Sequence, residues 1–462
     1  MYLTKFPRTF WVANTIELFE RLAYYGMNVI LVLYLTRRVG FSVEASAPIT
    51  GFFFASLDLM PIPTGAISDK IGFRNSLFIT FSVLAVGYSI LGILPSKATA
   101  LVALFFIAVG GAFVKPVISG TVKKTSPEGL SKIGFSLFYM VINIGGFTGK
   151  IIAKSLRQDL GHWLSESNFT RLKDWVGASV PPFGITQSLV DRAASQHPPM
   201  SPEAFLEMLK WQGFGMQVIC FFSAAMSLVA LLLVVILYKE PDRTGEPVRS
   251  VRETFADMFR LFVDFKFLAF IIIFSGFDLM FWQLYLSVPT YIVTHISETA
   301  PMEYIISINP GMIILFQMLV AALVTKMKPF GSMGLGMAIS VFGMVLLGLF
   351  PTLWGTCVAI AVFAIGEMTF APRFFDYVAT LAPKGKVGLY LGFSYLKAFI
   401  ANFVGGPLSG YLLGKYCPAE GPRDPAKMWF TFAAIGVAAL AALFLYNRFI
   451  GDQTREEEAP AA

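Results

Sequence analysis

Apolar stretches of about 20 residues, separated by short polar turns, run along this chain. A stretch of about that length crosses the hydrocarbon core of a bilayer as a helix. The pattern therefore predicts an all-α membrane protein with twelve transmembrane helices. We expect these helices near residues 10–36, 48–69, 76–95, 99–121, 134–154, 214–238, 266–294, 304–326, 332–351, 355–379, 388–413 and 428–448.

A charged segment broken by proline and glycine separates the sixth predicted helix from the seventh. It divides the chain into an N-terminal six-helix bundle (1–238), a linker (239–265), and a C-terminal six-helix bundle with a short acidic tail (266–462). Two such halves with a substrate site between them are typical of secondary transporters. Residues 156–212 form an insertion in the first half, and its length and amphipathic run at 201–211 predict local order. A lid and a structural cap both fit that insertion.

Basic residues are concentrated in the turns on one side of the predicted membrane. Because cytoplasmic turns collect Lys and Arg, we expect both termini and the linker to be cytoplasmic. The insertion then lies outside, and the chain is a multi-pass protein of the inner cell membrane. The basic residues are Lys5, Arg8, Lys70, Arg74, Lys123, Lys124, Lys132, those from Lys239 to Arg260, Lys326, Lys328, Lys384 and Lys386.

Composition supports the membrane class. The chain of 462 residues is 56% hydrophobic and 14% charged, whereas a soluble domain carries about 25% charged residues. Basic turns account for the net charge of +7 without a nucleic-acid partner. The three cysteines, Cys220, Cys357 and Cys417, lie far apart, so neither a disulfide framework nor a metal site is indicated. We expect no cofactor.

Three charges interrupt the first predicted helix, at Glu17, Glu20 and Arg21. Each charge at membrane depth costs roughly 2.5–3.5 kcal/mol on insertion scales, so such residues are commonly functional. Tyr24 and Asn28 follow Glu17 at helical spacing, which predicts one polar stripe facing a cavity. Ion pairs that only hold helices together are the alternative. The charges and the lack of a small-residue cleavage site argue against a cleavable signal peptide.

The turn after the second predicted helix reads Gly65-Ala-Ile-Ser-Asp69-Lys70-Ile-Gly72-Phe-Arg74. It closely resembles the loop motif between the second and third helices of the major facilitator superfamily. Asp69 can pair with basic residues such as Arg74 across the cytoplasmic mouth. We therefore predict a gating contact that forms in one state and breaks in the other. A loop that only sets topology would need neither the aspartate nor both glycines.

Five further motifs, in chain order, resemble those of the proton-dependent oligopeptide transporter family within that superfamily. The resemblance covers nearly the whole chain and implies the superfamily fold and proton-coupled import of di- and tripeptides by alternating access. The motifs are Glu17-Leu-Phe-Glu20-Arg21 with Tyr24-Tyr25, Lys115-Pro116 after two glycines, Phe138-Tyr139-Met-Val-Ile142-Asn143-Ile-Gly145, Ile308-Asn309-Pro310, and Gly366-Glu367 with Pro372 and Leu381-Ala382-Pro383.

The resemblance implies a pocket for a small peptide between the two halves. Glu367, Asn143 and Asn309 would hold the amino end and the first carbonyl. Lys115 and Tyr25 would bind the carboxylate end. A zwitterion needs opposite charges at its two ends, and a low-dielectric cavity strengthens both contacts. Structural alternatives remain, because asparagines also join helices in membranes, a carboxylate can bond a neighbouring helix, and a lysine can snorkel.

Proton coupling would rest on Glu17, Glu20 and Arg21. Burial favours an uncharged carboxyl group and a nearby cation favours the carboxylate, so a group under both influences can exchange a proton. Asp58 and Glu367 are further candidates for this role, because the charge partners usual in the family are missing.

Four positions depart from the family pattern. Asn28 stands where the family usually has an arginine, and Leu286 where it usually has the acidic partner. Asp58 replaces a tyrosine and Ser394 a tryptophan. We still expect Asn28 to line the substrate pocket, where it offers no cation. Further unusual charges are Asp278, Arg373, Asp376 and Lys397.

Other functional classes have little support in the sequence. The histidines are His162, His197 and His295, and neither Gly-x-Ser-x-Gly nor His-Glu-x-x-His occurs, so we expect no enzyme. The sequence shows no effector domain that would suggest a receptor. A relative that moves a non-peptide amine-bearing or other small solute stays open. The expected partners are a peptide-like solute, protons and the lipid bilayer, with the chain as a monomer.

Overall fold

The computed structural model describes residues 3–128, 130–160, 163, 187–194, 199–241, 253, 256, 259–383, 387–418 and 421–451. Their regular secondary structure is helical. Large parts of the expected insertion (156–212) and linker (239–265) lie outside the described residues, as do His162, His197 and the last eleven residues of the acidic tail.

Twelve helical spans follow one another through these residues. Nine are long and apolar enough to cross a membrane singly, and α1 and α2, bent by 50° and 44°, bring the number to eleven. The more polar α11 completes the set of twelve. The spans are α1 (Arg8–Asn28 and Leu31–Val39), α2 (Val43–Leu59 and Pro61–Ile71), α3 (Phe73–Ile93), α4 (Lys97–Thr125), α5 (Ser131–Lys154, then Ser155–Asp159), α6 (Pro202–Ile236), α7 (Phe265–Leu286, then Val288–Tyr291 and Ile292–Ile296), α8 (Met302–Val324), α9 (Pro329–Leu349), α10 (Leu353–Leu381), α11 (Val387–Phe393 and Leu396–Tyr416) and α12 (Pro425–Tyr446).

Helix α6 begins earlier than the sequence pattern suggested. The Ser201 side chain caps it by accepting a hydrogen bond from the Ala204 backbone N–H at 3.2 Å, and Pro202 occupies the first turn, where its missing N–H costs nothing. The amphipathic run at 201–211 therefore continues the span instead of belonging to a separate insertion. Phe205 on this extension packs against Ala193 of the short helix Gln187–Ala194.

The helices pack as two six-helix bundles of the same design. In the first half α1 packs on α5 and α6, and α3 on α4 and α6. In the second half α7 packs on α11 and α12, and α9 on α10 and α12. Adding six to each helix number converts one set of pairs into the other. The halves meet where α2 packs on α11 and α5 on α8, and the same shift exchanges these two contacts.

Ion pairs join the halves at the face where α1 and α5 end and α8 begins, which we call the closed face. The Arg157 guanidinium contacts both carboxylate oxygens of Glu303, at 2.5 and 3.0 Å. Arg37 contacts Glu298 at 2.5 Å. Both arginines lie in π-helical turns that end α5 and α1. Such turns frequently occur at functional sites.

Candidate functional site

A cavity of about 340 Å³ lies between the two halves. Nine helices contribute to it: α1, α2, α3, α4 and α5 from the first half, and α7, α8, α10 and α11 from the second. All six predicted substrate-binding residues line it, namely Tyr25, Asn28, Lys115, Asn143, Asn309 and Glu367. Of the residues predicted for proton coupling and gating, Glu20, Arg21 and Asp58 line it, whereas Glu17, Asp69 and Arg74 do not.

The charges of α1 form one buried cluster. Arg21 Nε lies 3.1 Å from Glu17 Oε1 and also contacts Glu20. Its guanidinium stands over the rings of Tyr24 and Tyr25, at 5.3 and 5.9 Å from their centroids. Glu17 lies behind Arg21, outside the cavity lining. With all three groups ionised the cluster carries one net negative charge.

Glycines of α5 bring α1 close enough to place this cluster at the cavity. A Cβ on Gly145 would lie 2.5 Å from the Arg21 Cβ, and one on Gly149 would lie 2.9 Å from the Leu22 carbonyl oxygen. Both distances are too short for any larger residue without movement. The glycines of the α5 motif therefore explain how the polar stripe of α1 reaches the cavity.

Asp58 and Lys115 form an ion pair at the cavity wall. Lys115 Nζ lies 3.3 Å from Asp58 Oδ1, and Asn402 Nδ2 of α11 donates to Oδ2 at 3.3 Å. The Lys115 ammonium also stands 5.1 Å from the centre of the Tyr395 ring. The contacts with Asn402 and Tyr395 connect the first half to the second. Lys115 is thus already engaged by an anion in this state.

Glu367 presents its carboxylate from α10. It accepts a hydrogen bond from Asn309 Nδ2 of α8 at 2.7 Å and forms no ion pair among the described residues. Asn309 therefore joins two helices and also orients the carboxylate. Asn143 Nδ2 donates to the Tyr139 carbonyl of its own helix at 2.9 Å, so this amide does not serve as a bond between helices.

Asp69 and Arg74 lie away from the cavity, at the opposite face. Asp69 lines a second depression between α2 and α4, together with Lys123 and Lys124. Arg74 donates to the Val235 carbonyl of α6 at 2.8 Å. This contact lies within the first half, and the gating role of the pair stays a prediction.

Three charged residues of the cavity were missing from the predicted site. Lys397 pairs with Asp278 at 2.5 Å, and Lys150 lies on α5, seven residues after Asn143. The sequence had marked Asp278 and Lys397 as unusual charges but could not pair them. Lys150 continues the helical stripe of Tyr139 and Asn143, and that spacing was the clue to its position.

Other departures from the family pattern have local structural explanations. Arg373 donates to the carbonyls of Val324 and Thr325 at the end of α8, at 3.2 and 3.0 Å, and lies 3.5 Å from Asp376. Neither Arg373 nor Asp376 lines the cavity. Ser394 lines it and bonds the Leu391 carbonyl. The described residues contain no group of three or more His, Cys, Asp or Glu suited to a metal ion.

Comparison with known proteins identifies the family. Residues 7–162 and 211–406 match the sequence profile of the Major Facilitator Superfamily. The chain belongs to this superfamily. It is 25% identical to a dipeptide and tripeptide permease A of Citrobacter koseri over 99% of this chain and 96% of that one. This full-length match also supports the predicted branch of proton-dependent oligopeptide transporters, and that prediction is confirmed.

Other relatives match this chain over shorter lengths. A dipeptide and tripeptide permease B of Aliivibrio fischeri is 32% identical over 160 residues, which is 34% of this chain and only 32% of that permease. The family and these relatives are transporters, in agreement with the prediction that the chain is not an enzyme.

Solved structures share the fold at low identity. A POT family transporter in complex with a thioalcohol-conjugated peptide has a TM-score of 0.71 at 16% identity, with 98% of this chain and 99% of that one covered. A POT family transporter in complex with 5-aminolevulinic acid has a TM-score of 0.70 at 16% identity, over 98% and 99%. These matches confirm the twelve-helix superfamily fold.

Proposed function

We propose that this chain is a proton-coupled symporter that imports di- and tripeptides by alternating access. The observation that carries the proposal is the Glu367 carboxylate, held by Asn309 and without a cationic partner among the described residues. It faces the central cavity, where a substrate ammonium can supply the missing positive charge. Relatives named dipeptide and tripeptide permeases support the same substrate class.

The proposed coupling uses carboxylates at membrane depth. Glu17, Glu20, Asp58 and Glu367 are all buried or line the cavity. The Glu17–Glu20–Arg21 cluster favours proton uptake through its excess of negative charge. A substrate ammonium at Glu367 would favour the ionised form of that group. Binding of substrate and binding of protons would then depend on each other.

The proposed motion is a rocking of the bundle 1–238 against the bundle 266–462. The ion pairs of the closed face would open, and Asp69 and Arg74 would take part in closing the opposite face. In this proposal the chain works as a monomer in the inner cell membrane, with both termini in the cytoplasm and the segment 156–212 outside.

A second candidate is a non-peptide, amine-bearing solute. The uncharged Asn28 and Leu286 favour it, because they replace two charges that the family usually has. One similar structure holds 5-aminolevulinic acid, a small amine with a carboxylate.

Uptake into proteoliposomes separates these candidates. Labelled dialanine is offered with an inward proton gradient, and unlabelled 5-aminolevulinic acid is the competitor. We expect accumulation of dialanine that a protonophore abolishes and that sodium does not restore. Accumulation that needs sodium and ignores the protonophore would reject proton coupling. Accumulation of 5-aminolevulinic acid but not dialanine would select the second candidate.

A further inference from the structure

The charges of the cavity are almost all paired within the protein. Eight charged side chains line it, and six of them form three ion pairs: Arg21 with Glu20, Lys115 with Asp58, and Lys397 with Asp278. Glu367 and Lys150 remain. Neither forms an ion pair with the other or with any described residue. The cavity therefore presents one carboxylate and one amino group that lack an ion-pair partner among the described residues.

Lys150 is buried to an unusual degree for a lysine. Its side chain is 1% exposed, and its ammonium stands 5.1 Å from the centre of the Tyr25 ring and 5.2 Å from that of Tyr285. Aromatic faces attract a cation, but an ammonium has three N–H donors. No described residue accepts a hydrogen bond from Lys150. A buried charge without a hydrogen-bonded partner is costly, and an anionic ligand would remove that cost.

The position of Lys150 fits a ligand that spans the two halves. Its helix, α5, belongs to the first half, as does Tyr25, whereas Tyr285 belongs to α7 of the second half. Lys115, in contrast, is already held by Asp58 at 3.3 Å, so a ligand anion would have to compete with this carboxylate. Lys150 has no such competitor among the described residues.

We propose that Lys150 binds the carboxylate of the transported molecule, while Glu367 binds its ammonium group. The site would thus select compact zwitterions and discriminate against amines that lack an anionic group. This inference rests on the proposed transport function and replaces Lys115 by Lys150 as the main cation for the substrate carboxylate.

The test compares two ligands that differ only in the anion. Dialanine and dialanine amide are titrated against the purified full-length protein, and affinities are read by calorimetry. A charge-assisted hydrogen bond is worth about ten- to a hundredfold in affinity. We expect Lys150→Met to lose about this factor for dialanine and almost none for the amide. Lys150→Arg should retain most of the preference for dialanine.

Matched controls separate this role from packing. Lys154→Met removes a lysine one turn further along α5, outside the cavity and paired with Asp159, and should leave both affinities unchanged. Lys115→Met should weaken the two ligands to a similar extent. Equal losses for dialanine and its amide in Lys150→Met would overturn the proposal. A loss selective for dialanine in Lys115→Met alone would also overturn it.

A second ligand pair keeps the test independent of peptide transport. If the parent protein does not bind dialanine, 5-aminolevulinic acid and its methyl ester replace the first pair. The peptide proposal then fails, but the selective loss in Lys150→Met still decides the role of the lysine. Binding of the amide and the ester by the parent, as tight as that of the two acids, would reject an anion site altogether.

Discussion

At the scale of single residues, Glu367 is the anion of the cavity whose only described bond is to a neutral donor. The Asn309 amide fixes the carboxylate at 2.7 Å but does not neutralise it. A substrate ammonium would supply a charge-assisted hydrogen bond of about 1.5–3 kcal/mol. Glutamine preserves the shape of the side chain and removes the charge. We therefore expect Glu367→Gln to weaken binding of amine-bearing ligands about ten- to a hundredfold.

Competition binding with dialanine and N-acetyl-dialanine checks this prediction. The acetylated ligand lacks the ammonium and should bind parent and variant alike. Glu207→Gln, which changes a carboxylate bonded to Trp211 on α6 outside the cavity, serves as control. If Glu367→Gln binds dialanine as tightly as the parent, Glu367 is not the ammonium site, and Asp58 becomes the better candidate.

Asn28 offers a second prediction at this scale. Its side chain is 1% exposed, and both amide atoms lack a hydrogen-bond partner among the described residues. An unsatisfied buried polar group costs about 1–3 kcal/mol. Asn28→Leu should therefore leave thermal stability unchanged or raise it, while lowering substrate affinity because the amide serves the ligand. A fall in stability with unchanged affinity, measured on the same samples, would assign Asn28 a structural role.

Some residues of the site could be predicted from sequence and others could not. Tyr25, Asn143 and Glu367 each lie in a motif whose helical spacing places its polar residues on one face of a helix. The same spacing argument applies to Lys150 on α5. The pairing of Asp278 with Lys397 joins two helices 119 residues apart, and no local pattern specifies such a partner.

At the scale of helices, close backbone contact between α2 and α11 joins the halves. A Cβ on Gly406 would lie 2.9 Å from the Gly51 Cα and 3.0 Å from the Ala47 carbonyl oxygen. Small residues permit such approach between membrane helices.

The helix pattern predicted the existence of both spans, but the start of α6 at Pro202 was missed because its first turns are amphipathic and not uniformly apolar.

Gly406→Leu should separate α2 from α11. The larger side chain meets backbone atoms that cannot move aside alone, so we expect the closed face to open and transport to fall at least tenfold. The distance between spin labels at the start of α2 and at the end of α11 measures the opening. Gly392→Leu is the matched control, because a Cβ on Gly392, in the same span, would meet no described atom within 4 Å beyond its chain neighbours and the backbone of its own helix. Identical distances in both variants would contradict the role of this contact.

At the scale of the whole molecule, two arginines of the first half bind two glutamates of the second at the closed face. Arg157 and Glu303 are 1% and 0% exposed, and Arg157 also contacts Gln212 of α6 at 2.9 Å. In the alternating access that we propose, these contacts break in the other state. Their strength would then influence how long each state lasts as well as the stability of the fold.

Glu303→Gln should shift the protein towards the state in which the two halves are separated at this face. Removing one partner leaves the other charge buried and unpaired, a change that costs about 3–5 kcal/mol. The shifted population is measured by maleimide labelling of Ala300→Cys, next to Arg157, in a background without the three native cysteines. We expect faster labelling in Glu303→Gln and partial recovery in Arg157→Gln/Glu303→Gln, which leaves no lone charge. Asp424→Asn, which breaks the exposed pair with Lys427, should change nothing. Labelling in Glu303→Gln no faster than in the parent protein would mean that the pair has no part in closing this face.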